Sequence, residues 1–243
     1  MKKILFLATY VLVLWGCGDN SNTINTDDNT RQDEEFLDTG LWWDGHFITD
    51  YLVPSKVEVA DKGNGELYLK VSGDEYETTT DNKDTPNYKK AREFAELYGD
   101  VDCKIAVSYG QNKALAYPID KITIYCEKDF DAKHPAGESM DDVVKLEFKS
   151  YYEFIKNGYN YPDKINLGTS DGRGAIDYTL YLSDIDVNVA TLVHICNPTV
   201  TMTNAHPLIH FASQPEKAGE YTFTLELTTT GKTFSTEFTY TFE

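Results

Sequence analysis

The sequence predicts a mainly β body, and three observations carry that reading. The closing stretch "EYTFTLELTTTGKTFSTEFTYTF" (220–242) puts Tyr221, Phe223, Leu225 and Leu227 on one face and Thr on the other, the two-residue period of a half-buried strand. "LYLKV" (67–71) and "KITIYC" (121–126) repeat that period. A hydrophobic content of 41% with 13% aromatic residues is ample for a core. Read together, they predict an Ig-like antiparallel β-sandwich with two or three short covering helices. It is preceded by a signal peptide and a disordered tether.

The first element is that signal. Lys2 and Lys3 form a cationic start, and Ile4 to Gly16 carry no charge. A membrane-spanning helix needs about 20 apolar residues. This run is shorter and has the length of a signal-peptide core. It closes on Leu14-Trp15-Gly16-Cys17, where Leu14, Gly16 and Cys17 match a bacterial lipobox and Trp15 fills a slot that is usually small or β-branched. Residues 1–16 are therefore read as a lipoprotein signal peptide and Cys17 as the acylated residue that holds the chain on a lipid bilayer. Two or three acyl chains anchor far more firmly than one, at about 0.8 kcal/mol per buried methylene.

The tether follows. Residues 18–35, "GDNSNTINTDDNTRQDEE", hold six acids, one Arg and one large aliphatic residue. They bury too little apolar surface to fold and reach about 23 Å as a flexible coil. With Cys17 they make up residues 17–35. Residues 36–243 then read as a single β-rich domain, a length that also admits two smaller ones. Removal of Lys2 and Lys3 leaves 20 basic groups against 40 acidic ones. That balance excludes nucleic acid, whose phosphates need clustered Lys and Arg. It equally disfavours adhesion to an anionic membrane surface.

Within the body, Val57 and Val59 alternate before a Gly-Asn-Gly turn and "LYLKV", a hairpin. "DTPNYKKAREFAELYGD" (84–100) is a helix capped by Asp84 or Thr85, begun by Pro86 and stopped by Gly99, with Ala91, Phe94, Ala95 and Tyr98 on one face. Cys103, Ile105 and Val107 alternate, as do Ile122, Ile124 and Cys126. Antiparallel pairing of these two strands sets Cys103 opposite Cys126, within disulfide reach. The alternative is two buried thiols, or strands in different sheets. Cys196 then remains as an odd core cysteine. Ser139 with Asp142 is spaced as a capping box, so a short helix is expected there. Val144, Leu146 and Phe148 form a strand, and Tyr151 to Asn157 a second short helix.

The lipobox, the acidic tether, "ITIYCEKDFDAKHPAGESMDD" (122–142) and "AGEYTFTLELTTTGKTFSTEFTYTF" (218–242) together resemble uncharacterised lipoproteins of Bacteroidetes, a group filed under a domain of unknown function. Glu127 to Gly137 is the most specific part. The resemblance implies an exported, lipid-anchored β-rich body in the cell envelope, on the outer membrane, and implies no known reaction.

Candidate chemistry is sparse. Asp129 and Asp131 alternate in a loop that also holds His134, Glu138, Asp141 and Asp142, an oxygen-rich set of the kind calcium takes, although the EF-hand spacing is absent. A solvated acidic loop is the plainer reading, and no cofactor is otherwise implied. "TSDGRGAID" (169–177) lacks the lysine of a phosphate loop and reads as a surface turn. His194, Cys196, His206 and His210 are zinc-type ligands without zinc-type spacing. No nucleophile elbow is present. "LWWDGHF" (41–47) and "YYEFIKNGYNYP" (151–162) are dense in rings, so Trp42, Trp43, Tyr151 and Tyr152 are candidate sugar-stacking platforms, against the commoner use of aromatics as core. The expected function is non-enzymatic binding or scaffolding of a glycan or protein ligand in the envelope. The alternative is an exported hydrolase with an acidic or metal-dependent site.

Overall fold

The structure, a computed structural model, describes residues 45–63, 65–104, 112–170, 172, 174–195 and 206–243. All belong to one compact unit, Leu41–Glu243. The signal peptide, Cys17, the tether, Trp42, Trp43, Cys196 and the strand expected over 105–107 lie outside the described residues. Among the described residues, no helix is long and apolar enough to cross a membrane.

The body is mainly β. Its strands are β1 (Asp50–Asp61), β2 (Leu67–Glu77), β3 (Lys113–Leu115), β4 (Lys121–Cys126), β5 (Val144–Ser150), β6 (Gly168–Ser170), β7 (Ile176–Tyr181), β8 (Leu208–Phe211), β9 (Gly219–Thr229) and β10 (Lys232–Phe242). The α-helices are α1 (Pro86–Tyr98) and α2 (Tyr152–Lys156), and Leu182–Asp184 is a single 3-10 turn.

The strands form two sheets. One has seven strands in the order β3-β1-β2-β8-β5-β7-β6, and the other has three, β10-β9-β4. The three-stranded sheet is antiparallel, as expected. The larger sheet is mixed, because β3 runs parallel to β1. Ile122, Ile124, Phe223 and Leu225 of the small sheet share one apolar core with Leu67, Leu69, Leu146, Phe148, Ile176 and Tyr178 of the large one.

The local causes are legible. β1 and β2 form the expected hairpin, with Val57 opposite Val71 and Val59 opposite Leu69. The register slips between Pro54 and Lys56, and Gly73 sits at that slip. A Cβ at Gly73 would collide with the Val53 carbonyl, so the bulge needs a residue without one. β9 and β10 pair along their whole length around a turn at Thr230 and Gly231. Tyr221, Phe223, Leu225 and Leu227 are buried on one face, and Phe234, Phe238 and Phe242 meet them from the partner strand.

Helix α1 begins where the sequence placed it. The Thr85 hydroxyl accepts from Tyr88 N at 3.1 Å, and Gly99 ends the helix at φ 72°. Tyr88, Ala91, Phe94 and Ala95 are buried. Ala91, Phe94 and Ala95 feed a second, smaller core with Phe47, Ile48, Tyr51, Phe154 and Leu192.

The capping-box helix does not form. The Ser139 hydroxyl accepts from Asp141 N at 3.2 Å, and a turn carries Val143 N and Val144 N onto the Met140 carbonyl. Strand β5 begins at Val144, so no room remains for a helical turn.

Candidate functional site

The aromatic expectation divides. Tyr151 is 4% exposed and belongs to the smaller core, and its hydroxyl lies 2.7 Å from His194 Nδ1. It is unavailable as a platform. Tyr152 starts α2 and is only half-buried. It lines a surface groove of about 380 Å³.

That groove is assembled from four places in the chain. Helix α1 ends on it with Leu97 and Tyr98. The segment after β3 adds Tyr117 and Pro118. Helix α2 contributes Tyr152 and Lys156. The turn after the 3-10 helix adds Val187, Asn188 and Thr191. Tyr98 and Tyr152 meet edge to face, with centroids 6.5 Å apart at 85°. Tyr98 donates to the Ala116 carbonyl at 2.8 Å, which fixes its ring. Burial pushes the Tyr98 phenol well above its ordinary range, and the neighbouring Tyr117 and Tyr152 add to that. It stays a neutral donor. Lys156 Nζ lies 5.1 Å from the centre of the Tyr152 ring.

Leu97 is 65% exposed and Val187 45%. Both are large apolar side chains left in solvent, and both line this groove. Apolar patches with a polar rim mark binding surfaces more often than isolated exposed residues do. Sequence reasoning missed Tyr98 as a site residue, because it lies on the apolar stripe of α1. It also missed Leu97, which carried a usable signal: a leucine off the Ala91, Phe94, Ala95 and Tyr98 face.

Beside the groove, a buried carboxylate organises the smaller core. Asp100 follows Gly99 and is 0% exposed. Oδ1 accepts from Phe47 N at 2.7 Å and Tyr159 Oη at 3.1 Å; Oδ2 accepts from Ile48 N at 2.8 Å and Tyr51 Oη at 3.2 Å. His46 Nδ1 donates to the Asp100 carbonyl at 2.5 Å. Burial raises the Asp100 carboxyl above its ordinary value, against the pull of the Phe47 and Ile48 amides. The sequence held no pattern that announces this centre.

The other predicted sites are corrected. No disulfide joins Cys103 to Cys126, and both are buried thiols. Cys126 faces Phe223 because β4 takes β9 as its partner. Cys103 lies in the smaller core, with its amide on the Gly45 carbonyl at 2.7 Å. Two buried thiols, the alternative reading, is what is found.

Asp129 and Asp131 do not converge as calcium ligands. Asp129 Oδ1 accepts from Ala136 N at 2.9 Å. Asp131 Oδ1 accepts from Lys133 N at 2.8 Å and His134 N at 2.9 Å. His134 then clips the loop, with Nδ1 2.8 Å from Asp131 Oδ1 and Nε2 2.9 Å from Asp142 Oδ1. Both ring nitrogens face carboxylate oxygens, so the ring is held as imidazolium. Burial opposes that charge, but the hydrogen bonds to Asp142 and Asp131 outweigh it and raise the His134 pKa.

The histidines whose spacing fits no zinc motif make separate contacts. His194 Nδ1 lies 3.1 Å from the Lys113 carbonyl, His206 stacks on Tyr68 at 5.1 Å, and His210 Nε2 lies 3.1 Å from Glu147 Oε2. His194 and His206 line a cavity of about 210 Å³ over β5 and β7. Among the described residues, no three His, Cys, Asp or Glu side chains are placed to hold a metal ion.

No family model, curated protein or solved structure matches the chain.

Proposed function

We propose that this chain is an exported lipoprotein held on the outer membrane through acylated Cys17, with an Ig-like β body that binds a glycan without transforming it. The observation that carries the binding half is the groove of Tyr98, Tyr117 and Tyr152 flanked by exposed Leu97 and Val187. Tyrosine offers an apolar ring and a polar tip. A pyranose offers the same pairing, with C–H groups on its faces and hydroxyls at its edge. The groove is concave and mainly apolar, with few polar groups, as small-ligand sites are.

The anchor and the binding are tested separately. Mass spectrometry of the mature terminus is expected to find acylated Cys17, and an unmodified or uncleaved terminus ends the lipoprotein reading. A glycan array is expected to give hits that Tyr152→Ala abolishes. Silence on the array, with a protein ligand captured instead, would replace the glycan by a protein partner.

A further inference from the structure

We infer that the groove selects an anionic saccharide, its charge carried as carboxylate or sulfate, and that Lys156 recognises that charge. The inference rests on the glycan reading of the same groove.

The chain carries 40 acidic side chains against 22 basic ones. Yet among the described residues no Asp or Glu lines this groove, and Lys156 does. Some lysines elsewhere are paired with carboxylates, Lys56 with Glu58, Lys90 with Glu93, Lys113 with Glu75 and Lys149 with Asp177, while Lys145 and Lys232 lie over aromatic rings as Lys156 does. Among the described residues, Lys156 has no carboxylate partner, only the Tyr152 ring beneath it.

A ligand that covers the Tyr152 ring also strips water from this ammonium. A neutral sugar leaves the charge desolvated and unpaired, whereas a carboxylate or sulfate replaces the lost water. Asp186, in the turn that carries Asn188, does not line the groove, and its Oδ1 accepts from Asn188 N at 2.8 Å and Val189 N at 3.2 Å. At physiological salt, interactions fade beyond about 8 Å, and the contact charge prevails. The polar side of the ligand is also provided for. Tyr98 spends its hydroxyl on Ala116, but among the described residues the hydroxyls of Tyr117 and Tyr152 have no hydrogen-bond partner. They and the Asn188 amide are available to sugar hydroxyls.

The test is calorimetric titration of the purified full chain with three tetrasaccharide probes: oligogalacturonate, a carrageenan-derived tetrasaccharide that carries sulfate and no carboxylate, and neutral cellotetraose. One or both anionic probes are expected to bind at least tenfold tighter than cellotetraose, which distinguishes carboxylate from sulfate. Lys156→Gln is expected to remove that preference while leaving weak binding of all three, and Lys156→Arg to keep it. Tyr152→Ala should weaken every probe at least tenfold. Equal affinity for charged and neutral probes, or an anionic preference that survives Lys156→Gln, overturns the inference and leaves the glycan reading standing. No binding of any probe, with circular dichroism showing a folded protein, overturns both.

Discussion

The two cores of this protein are built on different principles. The larger one lies between the two sheets and is filled by strand faces such as Leu67, Leu69, Ile122, Ile124, Phe223 and Leu225. The smaller one gathers α1, α2 and the start of β1 around the carboxylate of Asp100. In the first, apolar alternation does the work, and any hydrophobe of the right size serves. In the second, one buried polar group satisfies two amides and the Tyr51 phenol that would otherwise be orphaned, and Tyr159 shares its hydroxyl between that group and the Val101 carbonyl. Strain gathers there too. Asp102, Tyr159 and Leu192, each at positive φ, border the smaller core. The sheet core is tolerant of substitution; the Asp100 core is specific and brittle.

The largest effect is expected at that centre. Asp100→Ala should cost about 3–5 kcal/mol, because the Phe47 and Ile48 amides and the Tyr51 phenol lose a buried acceptor at once. Hydrogen exchange should then rise in residues 46–51 and α1 while β9 and β10 stay protected. Equal loss of protection everywhere would make the two cores one cooperative unit and erase the contrast. Leu225→Ala, at 0% exposure, should cost about 2–5 kcal/mol through lost transfer energy and a cavity. It should lower the thermal midpoint globally and leave the relative protection of the two cores unchanged. Thr85→Ala should cost about 1 kcal/mol by removing the N-cap of α1, and amide exchange in the first turn of that helix reads it.

The smallest effects are in pH dependence, where Asp100 gives one flank and the His134 clip gives two of opposite sign. The Asp100 carboxyl titrates above 3.8 in the folded chain. Its contribution is fully present below 3.8 and is lost as pH rises through the raised value. Asp100→Asn should flatten that part of the profile. The His134 clip behaves otherwise. His134 is raised above 6.5, so its contribution is present below 6.5 and is lost as pH rises through the folded value. Asp131 is lowered below 3.8; burial opposes this, but the Lys133 amide and His134 prevail. Its contribution is present above 3.8 and is lost as pH falls through the lowered value. Denaturant titrations across pH should show the clip strongest between these limits, and His134→Gln should remove the alkaline flank and weaken the acid one, where the Lys133 amide still holds Asp131. A profile unchanged by that substitution would leave the clip without a role in stability.

The same contrast explains what the sequence revealed. The C-terminal hairpin was legible because Tyr221 to Phe242 alternate around a tight turn. Helix α1 was legible because Thr85, Pro86 and Gly99 mark its ends. Alternation says which face of a strand is buried, not which strand lies beside it. Cys126 was therefore assigned the wrong neighbour, and a disulfide with it. The parallel β1–β3 pairing left no periodic trace. Of the groove, Tyr152 was legible from local ring density. Tyr98, Tyr117 and Val187 come from distant segments that only the fold brings together. Asp100 had no signal, because side-chain hydrogen bonds to irregular backbone leave no period.

The seam within the seven-stranded sheet has a consequence in time. β2 and β8 pair over a short register, Leu67 opposite Ile209 and Tyr68 opposite Leu208, with Leu69 N on the Pro207 carbonyl beside it. The small sheet likewise needs β9 before β4 has a partner strand. Neither sheet can close until the last few dozen residues are available, and such long loops close slowly. The N-terminal hairpin must wait, unpartnered on its β2 edge, while the rest of the chain is made. A body whose sheets close only once β8 and β9 are made remains threadable until then.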